Sequence, residues 1–132
     1  MLIRRVADGG KVRPWANQTG DGVNYYESED LKKFGEIGQH AKALADDFFR
    51  YYGNVTGTDG ALTRREKALI ALAVSHAQKC PYCIDAYTTQ CLETGANPEQ
   101  MMEAVHVAAV MQAGITLVHS VQMQNHLKKL VL

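Results

Sequence analysis

The chain carries TRREKALIALAVSHAQKCPYC at residues 63–83, and this stretch decides the fold because it holds two helix starts. Thr63 and Glu66 fit a capping box, in which each side chain accepts a hydrogen bond from the other residue's backbone amide. Apolar side chains then recur at helical spacing as far as Cys80. Pro81 suits the first turn of a following helix, because its missing N–H would have no partner there. The stretch therefore predicts two consecutive helices with a cysteine pair at their junction.

This cysteine pair has the spacing of a redox dithiol. Cys80 and Cys83 are separated by two residues, so their sulfurs can close a disulfide within one helical turn. Both would feel the positive end of the helix dipole, which favours a thiolate by roughly 0.3 to 1 kcal/mol. His76 lies one turn before Cys80, where it could take a thiol proton or add a positive charge. Reversible oxidation, used to reduce a peroxide or a partner disulfide, is the first hypothesis.

Two other interpretations of the pair stay open. Cys80 and Cys83 could be buried structural cysteines. Together with His76 they could also supply three ligands to zinc. The zinc site lacks a clear fourth ligand, because Cys91 lies eight residues beyond Cys83 and no second cysteine pair exists. We therefore expect no resident metal, and we assign no partner to Cys91.

The other helices are predicted from periodicity and from their end signals. A first long helix is expected over residues 28–51, followed by a loop over residues 53–60. The helix that begins at Pro81 should run to about Glu93 and end at Gly95.

The last predicted helix begins at Asn97, which has the character of an N-cap, and runs to about Leu130, with Gly114 as a candidate break. It is apolar on nearly all sides, so we expect neighbours to bury several of its faces. No segment has the pattern of a strand. The sequence thus predicts an all-α chain with an irregular N-terminal arm, residues 1–27, and a helical domain, residues 28–132.

Composition excludes several functions. Lysine plus arginine equals aspartate plus glutamate at 14 each, so no net charge attracts nucleic acid or an anionic membrane. No segment is expected to reach the ~20 apolar residues that cross a bilayer, and we expect a cytoplasmic protein. The glycines lack the strand context of a nucleotide-binding loop, so we expect no flavin or nicotinamide cofactor. Electrons should come from an external dithiol, through a thioredoxin-like or lipoyl-type donor.

Four segments together resemble the carboxymuconolactone decarboxylase and alkylhydroperoxidase D-like family. They are EKALIALAV at residues 66–74, CPYCIDAY at 80–87, EAVHVA at 103–108 and LVH at 117–119, and they are most similar to the arsenosugar biosynthesis-associated peroxidase-like branch. The resemblance implies an all-helical domain of the alkylhydroperoxidase D-like type. It further implies an obligate helical dimer, assembled into a trimer or hexamer, with thiol-dependent peroxidase activity.

The resemblance also implies roles for the two sulfurs. In the peroxidase branch the second cysteine attacks peroxide and the first resolves the sulfenic acid, which gives these roles to Cys83 and Cys80. Helix-dipole geometry alone favours Cys80 as the nucleophile. We follow the resemblance and expect Cys83 to attack and Cys80 to resolve. The glutamate and histidine that relay a proton in alkylhydroperoxidase D correspond here to Ala68 and Tyr87. A competent peroxidase of this sequence therefore needs substitutes for both relay residues.

Four residues are candidates for that substitution. His76 is the first, although a histidine on an apolar stripe is often a packed core residue. Tyr87 could donate a hydrogen bond to a thiolate or a bound peroxide oxygen, or could simply pack. Glu103 and His106 lie one turn apart on the apolar last helix, which we expect to face the dithiol.

The sequence as a whole predicts a hydroperoxide-reducing thiol peroxidase or thiol-disulfide oxidoreductase. Two alternatives remain. The first is the lactone decarboxylase activity for which the family is named, which needs no redox dithiol. The second is a non-catalytic helical assembly or binding module with a vestigial dithiol, because folds outlive their activities.

Overall fold

A computed structural model describes residues 26–131, and this part of the chain is helical and contains no β-strand. The predicted all-α class is therefore confirmed. The arm predicted over residues 1–27 lies outside the described residues except for its last two. The helices are a 3₁₀ helix, Ser28–Gly38, and five α-helices: α1, Lys42–Thr56; α2, Arg64–Ala77; α3, Pro81–Glu93; α4, Pro98–Val118; and α5, Ser120–Leu130.

The predicted helix starts are where the sequence places them. The side chain of Thr63 accepts a hydrogen bond from the Glu66 amide, and Glu66 accepts one from the Thr63 amide, which completes the capping box of α2. Asn97 and Gln100 form the same reciprocal pair at α4. Cys80 occupies the N-cap of α3. Local polar chemistry therefore fixes three of the five α-helices before any packing is considered.

The first predicted long helix is wrong as a single element. The helix is interrupted at residues 39–41, between the 3₁₀ helix and α1. Helix α1 then extends into the predicted loop as far as Thr56. The break folds Gly38 onto α1, where an added Cβ would stand 3.0 Å from the Cβ of Ala45. Edge-to-face contacts between Phe34 and the rings of Phe48 and Phe49 hold the two segments together. Packing thus overrides the continuous helical periodicity of the sequence.

The last predicted helix also breaks at a different place. Gly114 lies inside α4, and the helix is interrupted for one residue at His119, between α4 and α5. The Nδ1–H of His119 donates to the carbonyl of Ile115 at 2.7 Å. A side chain that bonds the preceding turn accounts for this interruption better than the small size of Gly114.

Helix α2 is the centre of the fold. Its main packing partners are α3 and α4. The buried core lies chiefly between α2 and α3, and it consists of Ala68, Leu72, Tyr87, Cys91 and Ala96. This small core fixes how the cysteine-bearing start of α3 sits against the end of α2.

Helix α4 does not have the buried surroundings that its composition predicts. None of its residues is buried, and Val110 retains 64% of its surface exposed. The continuous run Pro98–Leu130 is also long and apolar enough to cross a membrane by length and composition, contrary to the sequence expectation. Core helices of non-membrane proteins pass the same test. An apolar face of this size is typical of an interface, and we expect a second copy of the chain to cover it.

A charge introduced on this face should break the expected assembly. We expect the wild type to sediment as a dimer or larger species and Val110→Glu to sediment as a monomer, because the carboxylate would be buried without a partner. Thr89→Glu, on the exposed side of α3, is the matched control and should keep the wild-type mass. Sedimentation velocity measures all three. A monomeric wild type that floats with liposomes would show that lipid covers the face instead.

Candidate functional site

The two sulfurs of the dithiol lie in contact at the start of α3. The Sγ atoms of Cys80 and Cys83 are 3.0 Å apart and share a hydrogen bond, and all three cysteines of the chain are free thiols. The Cys83 amide donates to the Cys80 Sγ at 3.4 Å, so Cys80 caps the helix with its sulfur. This geometry allows a disulfide to form with little movement of the backbone.

A tight turn between α2 and α3 positions this pair. The Cys80 amide donates to the carbonyl of Ser75 at 3.0 Å, and the Lys79 amide donates to that of His76 at 3.1 Å. This is the hydrogen-bond pattern of a Schellman motif, which requires a left-handed residue directly after the helix cap. Lys79 adopts that conformation with φ 55°, where most helices use glycine. Helix α3 ends in the same motif with Gly95 at φ 84°.

The surroundings of the two sulfurs separate their acidities. Hydrogen bonds from the Cys83 side chain and from the Cys83 and Tyr82 amides lower the pKa of Cys80. The pKa of Cys83 is raised to about 11 by its hydrogen bond with Cys80, by burial and by the charge of Cys80. The first proton lost from the pair therefore leaves a thiolate on Cys80, to which the Cys83 thiol donates.

A largely apolar cavity of about 440 Å³ adjoins the dithiol. Cys80, Cys83 and Tyr87 line one part of it. The rest is formed by α2, the end of α1 and the loop before α2. Its volume falls in the range of small-molecule sites. The remaining lining residues are Val55, Thr56, Leu62, Lys67, Ile70, Ala71, Val74, Ser75 and Gln78.

Two tyrosine hydroxyls form a hydrogen-bonded pair beside the dithiol cavity. Tyr87 is only 7% exposed, and its hydroxyl lies 2.5 Å from that of Tyr52 on α1. Burial raises the pKa of Tyr87, and the hydrogen bond with Tyr52 raises it further, so its phenol stays protonated. Sequence reasoning missed Tyr52. The helical periodicity predicted over residues 28–51 ends instead on its neighbour Tyr51, which is 71% exposed. A helical periodicity shifted by one residue along α1 would have placed Tyr52 on the packed face.

His76 is held away from the dithiol cavity. Its Nδ1–H donates to the carbonyl of Leu72 at 2.9 Å, and its ring lines a separate cavity of about 330 Å³ between α2 and α4. Neither cysteine lines that second cavity. Within residues 26–131, no cluster of three histidine, cysteine or acidic side chains could hold a metal ion. The structure therefore gives no support to zinc binding by His76 and the cysteine pair.

Glu103 and His106 share a shallow depression on α4 with Val107 and Val110. Helix α4 contributes no residue to the dithiol cavity, so the expectation that it faces the dithiol is wrong for the single chain. A proton-relay role for Glu103 and His106 stays a prediction, and it would require the dithiol of another subunit.

Tyr26, near the end of the predicted N-terminal arm, packs on the helical domain. Its hydroxyl donates to the carboxylate of Asp85, and its ring centroid lies 4.7 Å from that of Tyr82, the residue between Pro81 and Cys83. The hydrogen bond with Asp85 raises the pKa of Tyr26 to about 12. The chain therefore enters the helical domain beside the dithiol.

Comparisons with known proteins show which relatives the chain has. The chain is 42% identical over 91 residues to uncharacterized protein 4 of the cox locus in Paracoccus denitrificans, which covers 67% of this chain and 82% of that protein. It is 31% identical over 87 residues to an uncharacterized protein of Cupriavidus necator, covering 66% and 76% respectively. No solved structure matches. The profile of the carboxymuconolactone decarboxylase family matches residues 42–124, from the start of α1 into α5, and the chain therefore belongs to that family.

Proposed function

We propose that this chain is a thiol-dependent peroxidase that reduces hydroperoxides through the Cys80/Cys83 dithiol. The observation that carries the proposal is the contact of the two sulfurs, 3.0 Å apart, on the wall of an apolar cavity. A family member with a purely structural role would not need a thiol of lowered pKa beside a cavity. The family includes enzymes of the peroxidase and decarboxylase types, and the dithiol favours the first of these.

The reaction balances within the dithiol. A thiolate attacks one peroxide oxygen, the O–O bond breaks, and the other oxygen leaves with a proton as an alcohol or water. The sulfur is now a sulfenic acid. The second thiol attacks it, a disulfide forms and water leaves. An external dithiol of the thioredoxin-like or lipoyl type then reduces the disulfide by exchange and is itself oxidised.

The electrostatics of the site favour Cys80 as the attacking sulfur. The thiolate, not the thiol, is the nucleophile, and only the pKa of Cys80 is lowered. The family resemblance implies the opposite order, with attack by Cys83. In alkylhydroperoxidase D a glutamate and a histidine relay the proton, and this chain has Ala68 and Tyr87 in their places. We therefore assign attack to Cys80 and resolution to Cys83.

The tyrosine pair supplies the proton donor that the missing relay would have provided. Tyr87 lines the cavity with the cysteines, and burial keeps its hydroxyl protonated. When Tyr52 donates to the Tyr87 oxygen, the Tyr87 proton is free to bond the departing peroxide oxygen. Tyr87 is thus the donor, and Tyr52 is the residue that orients it.

Removal of either reactive thiol should abolish turnover. We expect Cys80→Ser and Cys83→Ser to lose peroxide consumption driven by a thioredoxin-like donor, because the first lacks the attacking sulfur and the second cannot close the disulfide. Cys91→Ala is the matched control and should keep the wild-type rate, since Cys91 lies in the core. Peroxide loss is followed by a colorimetric assay. Equal consumption by all four proteins would favour a decarboxylase or a binding module with a vestigial dithiol.

The two thiols should ionise in a fixed order. A thiolate forms above its pKa, so Cys80 should react with iodoacetamide at a pH where an ordinary thiol is still protonated. Cys83 should resist until the pH approaches about 11. Brief alkylation of the reduced wild type at a series of pH values, read by peptide mass spectrometry, gives both profiles. First modification at Cys83 would contradict the assignment of attack to Cys80.

Loss of the Tyr87 hydroxyl should slow the peroxide step more than it weakens substrate binding. We expect Tyr87→Phe to lower kcat by about tenfold or more, since a donor to the leaving oxygen acts mainly in the transition state. Tyr52→Phe should give a smaller loss. Tyr51→Phe, at the exposed neighbouring position, is the control. A Tyr87→Phe enzyme with wild-type kcat would remove the tyrosine from the mechanism.

A further inference from the structure

We propose that the dithiol cavity takes an organic hydroperoxide whose apolar chain ends in a carboxylate, with Lys67 binding that carboxylate. The inference rests on the proposed peroxidase function and names its substrate class. Two features of the cavity carry it, namely its apolar wall and the single ammonium group beside that wall.

The wall of the cavity suits an alkyl chain. Ile70, Ala71 and Val74 form one stripe of α2 along it, and Val55 and Leu62 lie on neighbouring segments. Hydrogen peroxide has no apolar surface to bury and would gain nothing from such a wall. An alkyl chain gains about 0.8 kcal/mol for each CH₂ group removed from water. The cavity therefore discriminates in favour of hydroperoxides with a long apolar part.

Lys67 is the one basic residue among those that line the cavity within the described part of the chain. Its Nζ donates to the carbonyl of Thr58 at 2.8 Å, which uses one of the three donors of an ammonium group. The residue is half-buried, and none of the ion pairs found among residues 26–131 includes it. An ammonium group beside an apolar wall, with no carboxylate partner among these ion pairs, is complementary to an anionic end of a ligand.

Lys67 and the dithiol lie at different positions along the axis of α2. Eight residues separate Lys67 from Ser75, which corresponds to about 12 Å of helix rise. The carbonyl of Ser75 holds the Cys80 amide, so the dithiol lies at that end. A ligand anchored at Lys67 must therefore extend over the apolar stripe before its hydroperoxide reaches a sulfur. This spacing selects acids whose carboxylate and hydroperoxide are separated by an extended alkyl segment.

The reaction on such a substrate is the one written above. The Cys80 thiolate takes the terminal oxygen, the O–O bond breaks, and the oxygen bonded to carbon leaves as a hydroxyl group after it gains a proton. The product is the corresponding hydroxy acid, and its carboxylate is unchanged. The external dithiol supplies both electrons.

Binding of a non-reactive acid tests this inference without turnover. We expect isothermal titration calorimetry to show that the wild type binds laurate, that dodecanol binds more weakly, and that Lys67→Gln weakens laurate binding by about tenfold. Lys67→Arg keeps the charge and should retain the affinity, which separates charge recognition from any loosening of the Thr58 loop. Lys129→Gln, at the end of α5, is the matched control. Absence of laurate binding, or equal affinity in Lys67→Gln, would overturn the proposal.

Turnover measurements then distinguish the proposed carboxylate site from the proposed peroxidase reaction. We expect a lower KM for linoleic acid hydroperoxide than for its methyl ester, and we expect Lys67→Gln to lose this preference. Consumption of acid and ester with the same KM in the wild type would reject the carboxylate site and leave the peroxidase standing. If laurate binds through Lys67 and yet no hydroperoxide is consumed, the binding site stands and the proposed reaction fails.

Discussion

The hydrogen bond from the Cys80 amide to the Ser75 carbonyl is the constraint on which the site depends. It closes α2, turns the chain through the left-handed Lys79 and leaves Cys80 at the cap of α3. The cap position in turn directs the Cys83 amide at the Cys80 sulfur. Acidity, sulfur contact and access to the cavity all follow from one backbone turn. Because α2 and α3 also form most of the buried core, the same packing that folds the chain holds the two thiols together.

The sequence was sufficient for the parts of the molecule that local chemistry determines. Capping boxes at Thr63 and Asn97, and Pro81 after a capping residue, define helix starts through bonds within four residues. The contact of Cys80 with Cys83 follows from the same short range. The all-helical class and the family could be predicted because these local signals agree with one another along the chain.

Long-range contacts account for what the sequence did not predict. The break after Gly38 exists because the 3₁₀ helix folds back on α1, and no local signal marks that return. Tyr52 meets Tyr87 only because α1 packs beside the core. His76 lies one turn from Cys80 along the chain, yet its ring faces α4 and not the cavity. Spacing along a helix predicts which residues are neighbours. The packing of the other helices decides which cavity each of those side chains lines.

The burial of Cys91 limits which thiols of the folded chain can react. Its side chain is 0% exposed in the core between α2 and α3, and burial raises the pKa of its thiol. A protonated sulfur without solvent access neither attacks a disulfide nor meets an oxidant. The third thiol therefore cannot reach a reagent in solution, and it cannot crosslink one chain to another. Although the chain has an odd number of cysteines, the folded molecule presents only the Cys80/Cys83 pair for thiol chemistry.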